Sequence, residues 1–213
     1  MLVADVMRTD VVTIRPDAAV QEAIELARTR GIRHLPVLQD GALVGIVSDR
    51  DLKRALVPEA AVRRLPGVRD LPARLTVADI MSRPVVTIGV TFAVEDAARV
   101  MVVERISALP VTDGARLVGI VTETDLLALL VRALGAVEPS SRLEVVLGDR
   151  PRALGEVIAA VEGAGATVSS VMTLRAPGGT REAVVRIATI DARPAVVAVE
   201  SRGYAVRGPR RPT

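Results

Sequence analysis

The chain has 213 residues, half of them hydrophobic and a quarter charged, with a net charge of only +3, which excludes a disordered chain and argues against nucleic acid as the partner. Phe92 and Tyr204 are the only aromatics and cysteine is absent, so base-stacking platforms, disulfides and thiolate metal sites are excluded as well. No apolar stretch approaches membrane-spanning length and no signal-peptide pattern opens the chain, so the expected setting is the cytoplasm, without a membrane partner.

Val3-Ala-Asp-Val-Met7 opens a unit that recurs from Val77-Ala-Asp-Ile-Met81, and the two align without a gap. Val11-Val-Thr-Ile14 and Val85-Val-Thr-Ile88 predict short β-branched strands. Helices follow, with apolar stripes at Val20, Ala23, Ile24 and Ala27 and at Val94, Ala97, Ala98 and Met101. Asp17 and Thr91 are the expected caps. Ile32-Arg-His-Leu-Pro-Val37 and Ile106-Ser-Ala-Leu-Pro-Val111 predict strands, with Pro36 and Pro110 at a strand start or edge because they lack a donor. Turns at Gln39-Asp-Gly41 and Asp113-Gly114 lead into Leu43-Val-Gly-Ile-Val47 and Leu117-Val-Gly-Ile-Val121, apolar runs suited to strands covered on both faces. Helices near Asp49–Leu56 and Glu123–Leu134 close each β-α-β-β-α unit. One such unit alone would bury little surface, so a pseudo-two-fold pair is expected.

Residues 57–76 carry Pro58, Pro66 and Pro72 with Arg63, Arg64, Arg69 and Arg74, and predict a surface linker. After a boundary at 135–141, Arg142–Leu147 predicts a strand, Ala153–Ala164 a helix, and Ala166–Arg175 and Glu182–Ile190 a hairpin across Gly178-Gly179. Asp191 is placed to cap a last helix before Tyr204–Val206. The fold class is therefore α/β (α+β): tandem repeats over 1–134, a βαββαβ unit of ferredoxin-like order over 141–207, and a tail at 208–213.

The candidate chemistry lies where each Leu-Val-Gly-Ile-Val strand meets its second helix. Ser48 and Thr122 stand three residues before Asp51 and Asp125. A hydroxyl and a carboxylate beside the N–H groups of a helix start suit a sugar-phosphate ligand. The same spacing also describes a capping box that serves only the helix. Paired acids (Asp49/Asp51 and Glu123/Asp125) would attract Mg²⁺ beside a nucleotide, or simply reflect the acidic preference of a helix start. His34 is the only histidine. No nucleophile elbow accompanies it, and there is no P-loop, H-E-x-x-H or G-x-G-x-x-G, so no catalytic or metal site is assigned and no cofactor is required.

Met7/Met81, Val-Val-Thr-Ile, Leu-Pro-Val and Gly-Ile-Val-(Ser/Thr)-x-x-Asp, each present twice in order, resemble a pair of CBS motifs, or Bateman module. The C-terminal residues resemble an ACT domain, with Asp149-Arg-Pro-Arg-Ala-Leu154 in place of the usual Asp-x-Pro-Gly-x-Leu loop. A CBS pair followed by an ACT domain is the layout of acetoin-utilisation proteins. The resemblance implies a non-enzymatic regulator binding AMP, ADP, ATP or S-adenosylmethionine in clefts between the motifs. It implies a homodimer and an enzyme or regulator of carbon metabolism as partner. Asp51 and Asp125 would hold the ribose diol, and Ser48 and Thr122 the ribose or phosphate. Thr13 and Thr87 would frame the adenine with the backbone from Ile32 to Pro36 and from Ile106 to Pro110. Arg33, His34 and Arg50 stand where the second motif has Ser107, Ala108 and Thr124, so the first cleft is expected to take the more anionic ligand. In the ACT-like loop Asp149, Arg150, Arg152 and Leu154 are the candidate effector residues; Arg152 in place of Gly favours dimerisation over amino-acid binding, and an acidic second ligand held by Arg150 and Arg152 is the alternative. The rival functions are a nucleic-acid-binding regulator using the linker and tail arginines, and an enzyme acting on the bound nucleotide.

Overall fold

The opening segment of each repeat is built into the other repeat. In the computed structural model, which describes residues 1–62, 75–136 and 138–207 with the main chain alone for 56–62, Val3 heads a 3-10 turn, Val3–Asp5. Its N–H donates to the carbonyl of Phe92 at 2.9 Å, and that of Ala4 to Val90 at 3.2 Å. The matched residues return the exchange: Val77 donates to Ala18 and Ala78 to Pro16, both at 2.9 Å. Val3 is fully buried among Ile88, Ala97, Met101, Leu109 and Val121. Val77 is fully buried among Ile14, Val20, Ala23, Leu35 and Val47.

The first repeat contains α1 (Val20–Arg30), β1 (His34–Gln39), β2 (Ala42–Ser48) and α2 (Asp49–Val62). The second contains α3 (Val77–Ile80), β3 (Ile88–Gly89), α4 (Val94–Glu104), β4 (Ala108–Asp113), β5 (Arg116–Thr122) and α5 (Glu123–Ala133). β1 and β2 pair antiparallel with His34 opposite Ser48, and β4 and β5 repeat that register with Ala108 opposite Thr122. The apolar stripes of α1 and α4 face inward, where Val20, Ala23, Ala27, Val94, Ala97 and Met101 are buried, as their spacing predicts.

Several local expectations are corrected. Val11–Ile14 forms no strand, only a single parallel bridge from Ile14 to Val37, and its counterpart shrinks to the two residues of β3. Asp17 and Thr91 cap nothing: the N-cap positions are Ala19 and Ala93. The first-turn N–H groups of Val20 and Val94 donate instead to the carbonyls of Leu75 and Met1, at 2.9 and 3.2 Å, so main chain from the other repeat does the work of a capping side chain. Asp17 takes the Arg15 guanidinium. Pro110 lies within the central strand of the β3-β4-β5 sheet, tolerated because β3 pairs only with Val111 and Thr112. Helix α2 runs past Leu56 to Val62. The linker arginines Arg63, Arg64, Arg69 and Arg74 and the tail at 208–213 lie outside the described residues.

Two glycines show why the exchange fits. A Cβ on Gly119 would stand 2.5 Å from Met7 Sδ and 3.1 Å from the carbonyl oxygen of Arg8. A Cβ on Gly45 would stand 2.8 Å from Met81 Cγ and closer still to its sulfur. Each opening methionine therefore lies against the backbone of the other repeat's second hairpin strand, β5 for Met7 and β2 for Met81, a place only glycine leaves free.

The chain divides into two units, Met1–Leu126 and Leu127–Thr213. In the second, β6 (Ser141–Val146), α6 (Ala153–Gly163), β7 (Val168–Arg175), β8 (Arg181–Ile187), α7 (Arg193–Glu200) and β9 (Ala205–Arg207) follow in βαββαβ order. The sheet order is β7-β8-β6-β9, antiparallel throughout. Leu143, Val145, Val157, Val161, Val185, Ile187 and Val199 form its core. Asp191 stands one residue before the N-cap of α7, Ala192, yet accepts the N–H of Arg193 at 3.1 Å. Among the described residues no helix is long and apolar enough to cross a membrane.

Gly45→Ala and Gly119→Ala are each expected to destabilise the chain by about 1–3 kcal/mol by overpacking against methionine. Met81→Ala should give back part of the Gly45→Ala loss in a double-mutant cycle followed by urea denaturation, and additive losses would show that the two residues do not compete for space.

Candidate functional site

Both hydroxyl–acid pairs close as capping boxes. Asp51 Oδ2 accepts the Ser48 N–H at 2.9 Å and its hydroxyl at 2.6 Å. Asp125 Oδ2 accepts the same two groups of Thr122 at 3.0 and 2.6 Å. The acids' own N–H groups donate back to Ser48 Oγ and Thr122 Oγ1 at 3.4 and 3.3 Å. The first helical N–H of α2, on Asp49, donates to the carbonyl of Arg33 at 2.8 Å, and that of Glu123 to Ser107 at 3.1 Å. Most of the donor capacity of these helix starts is therefore spent inside the protein. The second carboxylate oxygens differ. Asp125 Oδ1 accepts Nε and Nη2 of Arg8, each at 3.0 Å. No hydrogen bond to Asp51 Oδ1 is made among the described residues.

The residues that distinguish the two motifs come together. Arg33, His34, Asp49, Arg50, Lys53, Arg54, Ser107 and Glu123 line one cleft of about 500 Å³ shared by both repeats. Arg33 Nη2 donates to Thr124 Oγ1 at 3.0 Å, and His34 Nε2 shares a 2.9 Å hydrogen bond with Ser107 Oγ. Four cationic side chains outnumber two carboxylates in this lining, and Asp49 is held by Lys53 Nζ at 3.0 Å. Lys53 and Arg54, absent from the residues the motif points to, join Arg50 because their i+3 and i+4 spacing puts all three on one face of α2. Asp51, the next residue round that helix, is not part of the lining.

Other candidate residues lie elsewhere. Thr13 lines a separate cleft of about 600 Å³ with Arg15, Asp17, Glu22, Leu38 and Thr76, while Thr87 is exposed. Ile32 and Ile106 pack against the two repeat cores, and Pro36, Ala108 and Pro110 are buried in their strands. In the second unit the Arg150 guanidinium lies 5.1 Å above the Tyr204 ring and donates to the Arg202 carbonyl at 3.4 Å. Tyr204 in turn donates its phenol proton to Glu156 at 2.5 Å. Arg152 holds φ +62° at the N-cap of α6, Leu154 packs on the core, and Asp149 is exposed. No group of three or more His, Cys, Asp or Glu able to hold a metal is found among the described residues.

The family model for the CBS domain matches residues 3–58 and 77–132, more than half of the chain. The chain belongs to the CBS domain family. A CBS domain-containing protein of Dictyostelium discoideum is 37% identical over 147 residues, 66% of this chain and 99% of that relative. The CBS pair of protein MJ0100, solved in complex with 5′-methylthioadenosine and S-adenosyl-L-methionine, is 30% identical with a TM-score of 0.53, over 61% of this chain and 95% of that one. A Vibrio cholerae structure named for acetoin utilization (AcuB) is 25% identical with a TM-score of 0.54, over 64% of this chain and 96% of that one.

Within the CBS pair, burial and the neighbouring Arg33 charge hold the His34 imidazole below its ordinary range, with Asp49, Asp51 and Glu123 pulling the other way. The unfolded chain therefore takes up the proton first as pH falls. The associated stability is complete above the unfolded histidine value of about 6.5 and is lost as pH falls through the lower folded value. Thermal melts from pH 7.5 to pH 5 are expected to show a decline that His34→Gln flattens, and identical pH slopes in the two proteins would refute this origin.

Proposed function

We propose that this CBS pair is a regulatory sensor for adenosine compounds, with the ribose diol held by a capping-box aspartate and the ligand's phosphates or other polar tail directed toward the basic shared cleft. The observation that carries the reading is the division of labour within Asp51. One carboxylate oxygen is fixed by Ser48, so the second is held rigidly where it can accept two hydroxyl protons. Arg33, Arg50, Lys53 and Arg54 supply charge-assisted donors for phosphate. Protein MJ0100, whose CBS pair is similar over most of its length, holds two adenosyl compounds, which supports the ligand class. A ligand of this kind regulates by favouring one arrangement of the two motifs over another.

The βαββαβ order and β7-β8-β6-β9 sheet of the second unit support reading it as a ferredoxin-like unit of ACT type that joins two chains. Its loop arginine Arg150 is committed to Tyr204 and Arg202, and this favours assembly over amino-acid capture. The likeness to a structure named for acetoin utilization supports acetoin or related carbon metabolism as the setting; a cytoplasmic enzyme or regulator of that metabolism is the proposed partner.

Calorimetric titration with AMP, ATP and S-adenosylmethionine tests the sensor. Asp51→Ala is expected to weaken binding about ten- to hundredfold by removing a charged acceptor. The absence of binding by all three compounds at millimolar concentration would end the reading. Sedimentation of the full chain should give a homodimer, and a monomer at micromolar concentration would remove the assembly role.

A further inference from the structure

The two acids are not equally available, and the difference comes from one residue that each repeat contributes to the other. Arg8 follows Met7 in the opening segment of the first repeat, and Ser82 follows Met81 at the matched place. Their main chains do the same thing. Arg8 exchanges N–H to carbonyl hydrogen bonds with Ile120 at 2.9 and 3.0 Å, and Ser82 exchanges them with Ile46 at 2.9 and 3.2 Å. Only the side chains diverge. Arg8 reaches across to Asp125, its guanidinium exposed (64%) and covering a carboxylate that is itself only 12% exposed.

An ionised carboxylate offers about four lone-pair directions, two on each oxygen. At Asp125 all are used: two by Thr122 on Oδ2 and two by Arg8 on Oδ1. At Asp51, Ser48 takes the two on Oδ2, while among the described residues nothing takes those on Oδ1. A vicinal diol needs two acceptor positions. Among the described residues Asp51 keeps them, and Asp125 has them only after Arg8 lets go.

We propose that Arg8 is the specificity-determining residue of the pair, an internal competitor that holds Asp125 against an incoming ribose and leaves Asp51 as the high-affinity site. The proposal rests on the adenosine reading above and adds to it the order in which the two sites fill. An ion pair with one exposed partner is a modest barrier, so Arg8 weakens the second site without abolishing it. Arg33, His34 and Arg50, the basic residues peculiar to the first motif, suggest by sequence that it takes the more anionic ligand. Those residues line a cleft shared by both repeats, and the inequality proposed here has a different source.

The test uses the full chain, AMP and 2′-deoxy-AMP as probes, and calorimetry. Arg8→Ser copies the residue that already makes the same main-chain contacts in the other repeat. In an Asp51→Ala background, which isolates the second site, it should tighten AMP binding about three- to tenfold, with no such gain for 2′-deoxy-AMP. The reciprocal Ser82→Arg, with Asp51 intact, should weaken AMP at the first site by a similar factor. Unchanged second-site affinity in Arg8→Ser, or an equal gain for 2′-deoxy-AMP, overturns the competition while leaving the sensor standing. No AMP binding by the parent or any variant overturns the sensor and the competition together.

Discussion

The fold of the first unit depends on an exchange: neither repeat completes its own core. Val3 and Val77 are fully buried in the opposite halves, and the first N–H groups of α1 and α4 donate to Leu75 and Met1, just ahead of the partner repeat's opening segment. A single repeat would expose an unfilled core and leave helix-start donors unpaired, both costly. The two halves therefore fold as one object. Gly45 and Gly119 are part of the same constraint, since the methionine that seals each half lies directly on the strand that leads to an acid.

That coupling bears on function. The strand beneath Met7 leads into Thr122 and Asp125, and the strand beneath Met81 leads into Ser48 and Asp51. Each opening segment is thus in contact with the strand that leads to the carboxylate of the opposite repeat. In the second repeat the contact is direct, because Arg8, one residue beyond Met7, holds Asp125 itself. Across the shared cleft, Arg33 on Thr124 and His34 on Ser107 tie the two halves together a second time. A ligand that engaged these groups would act on both repeats at once, as a regulatory pair requires.

The capping-box and ligand readings of Ser-x-x-Asp are not alternatives in this geometry. Capping uses one carboxylate oxygen and fixes the orientation of the other. The local rule that makes the motif look ordinary is also what preorganises the acid.

From sequence alone the duplication, the inward stripes of α1 and α4, the βαββαβ order of the second unit and the paired hydroxyl–acid motifs are legible, because each depends on periodicity or spacing within a short stretch. The exchange of opening segments is not legible. A repeat in sequence says that two units are alike, not which unit a segment packs into, and that choice is made by long-range contacts. The same ignorance hid the caps: Asp17 and Thr91 are good capping residues displaced by carbonyls that only the fold brings near. It also hid Arg8, an unremarkable residue beside a methionine until the chain crosses over and sets it against Asp125. The sequence by itself determined which residues have the chemistry to hold a ligand. Only the tertiary structure decided which of them share a cleft and that Arg8 is set against Asp125, because hydrogen-bond partners distant in the chain are assigned by packing.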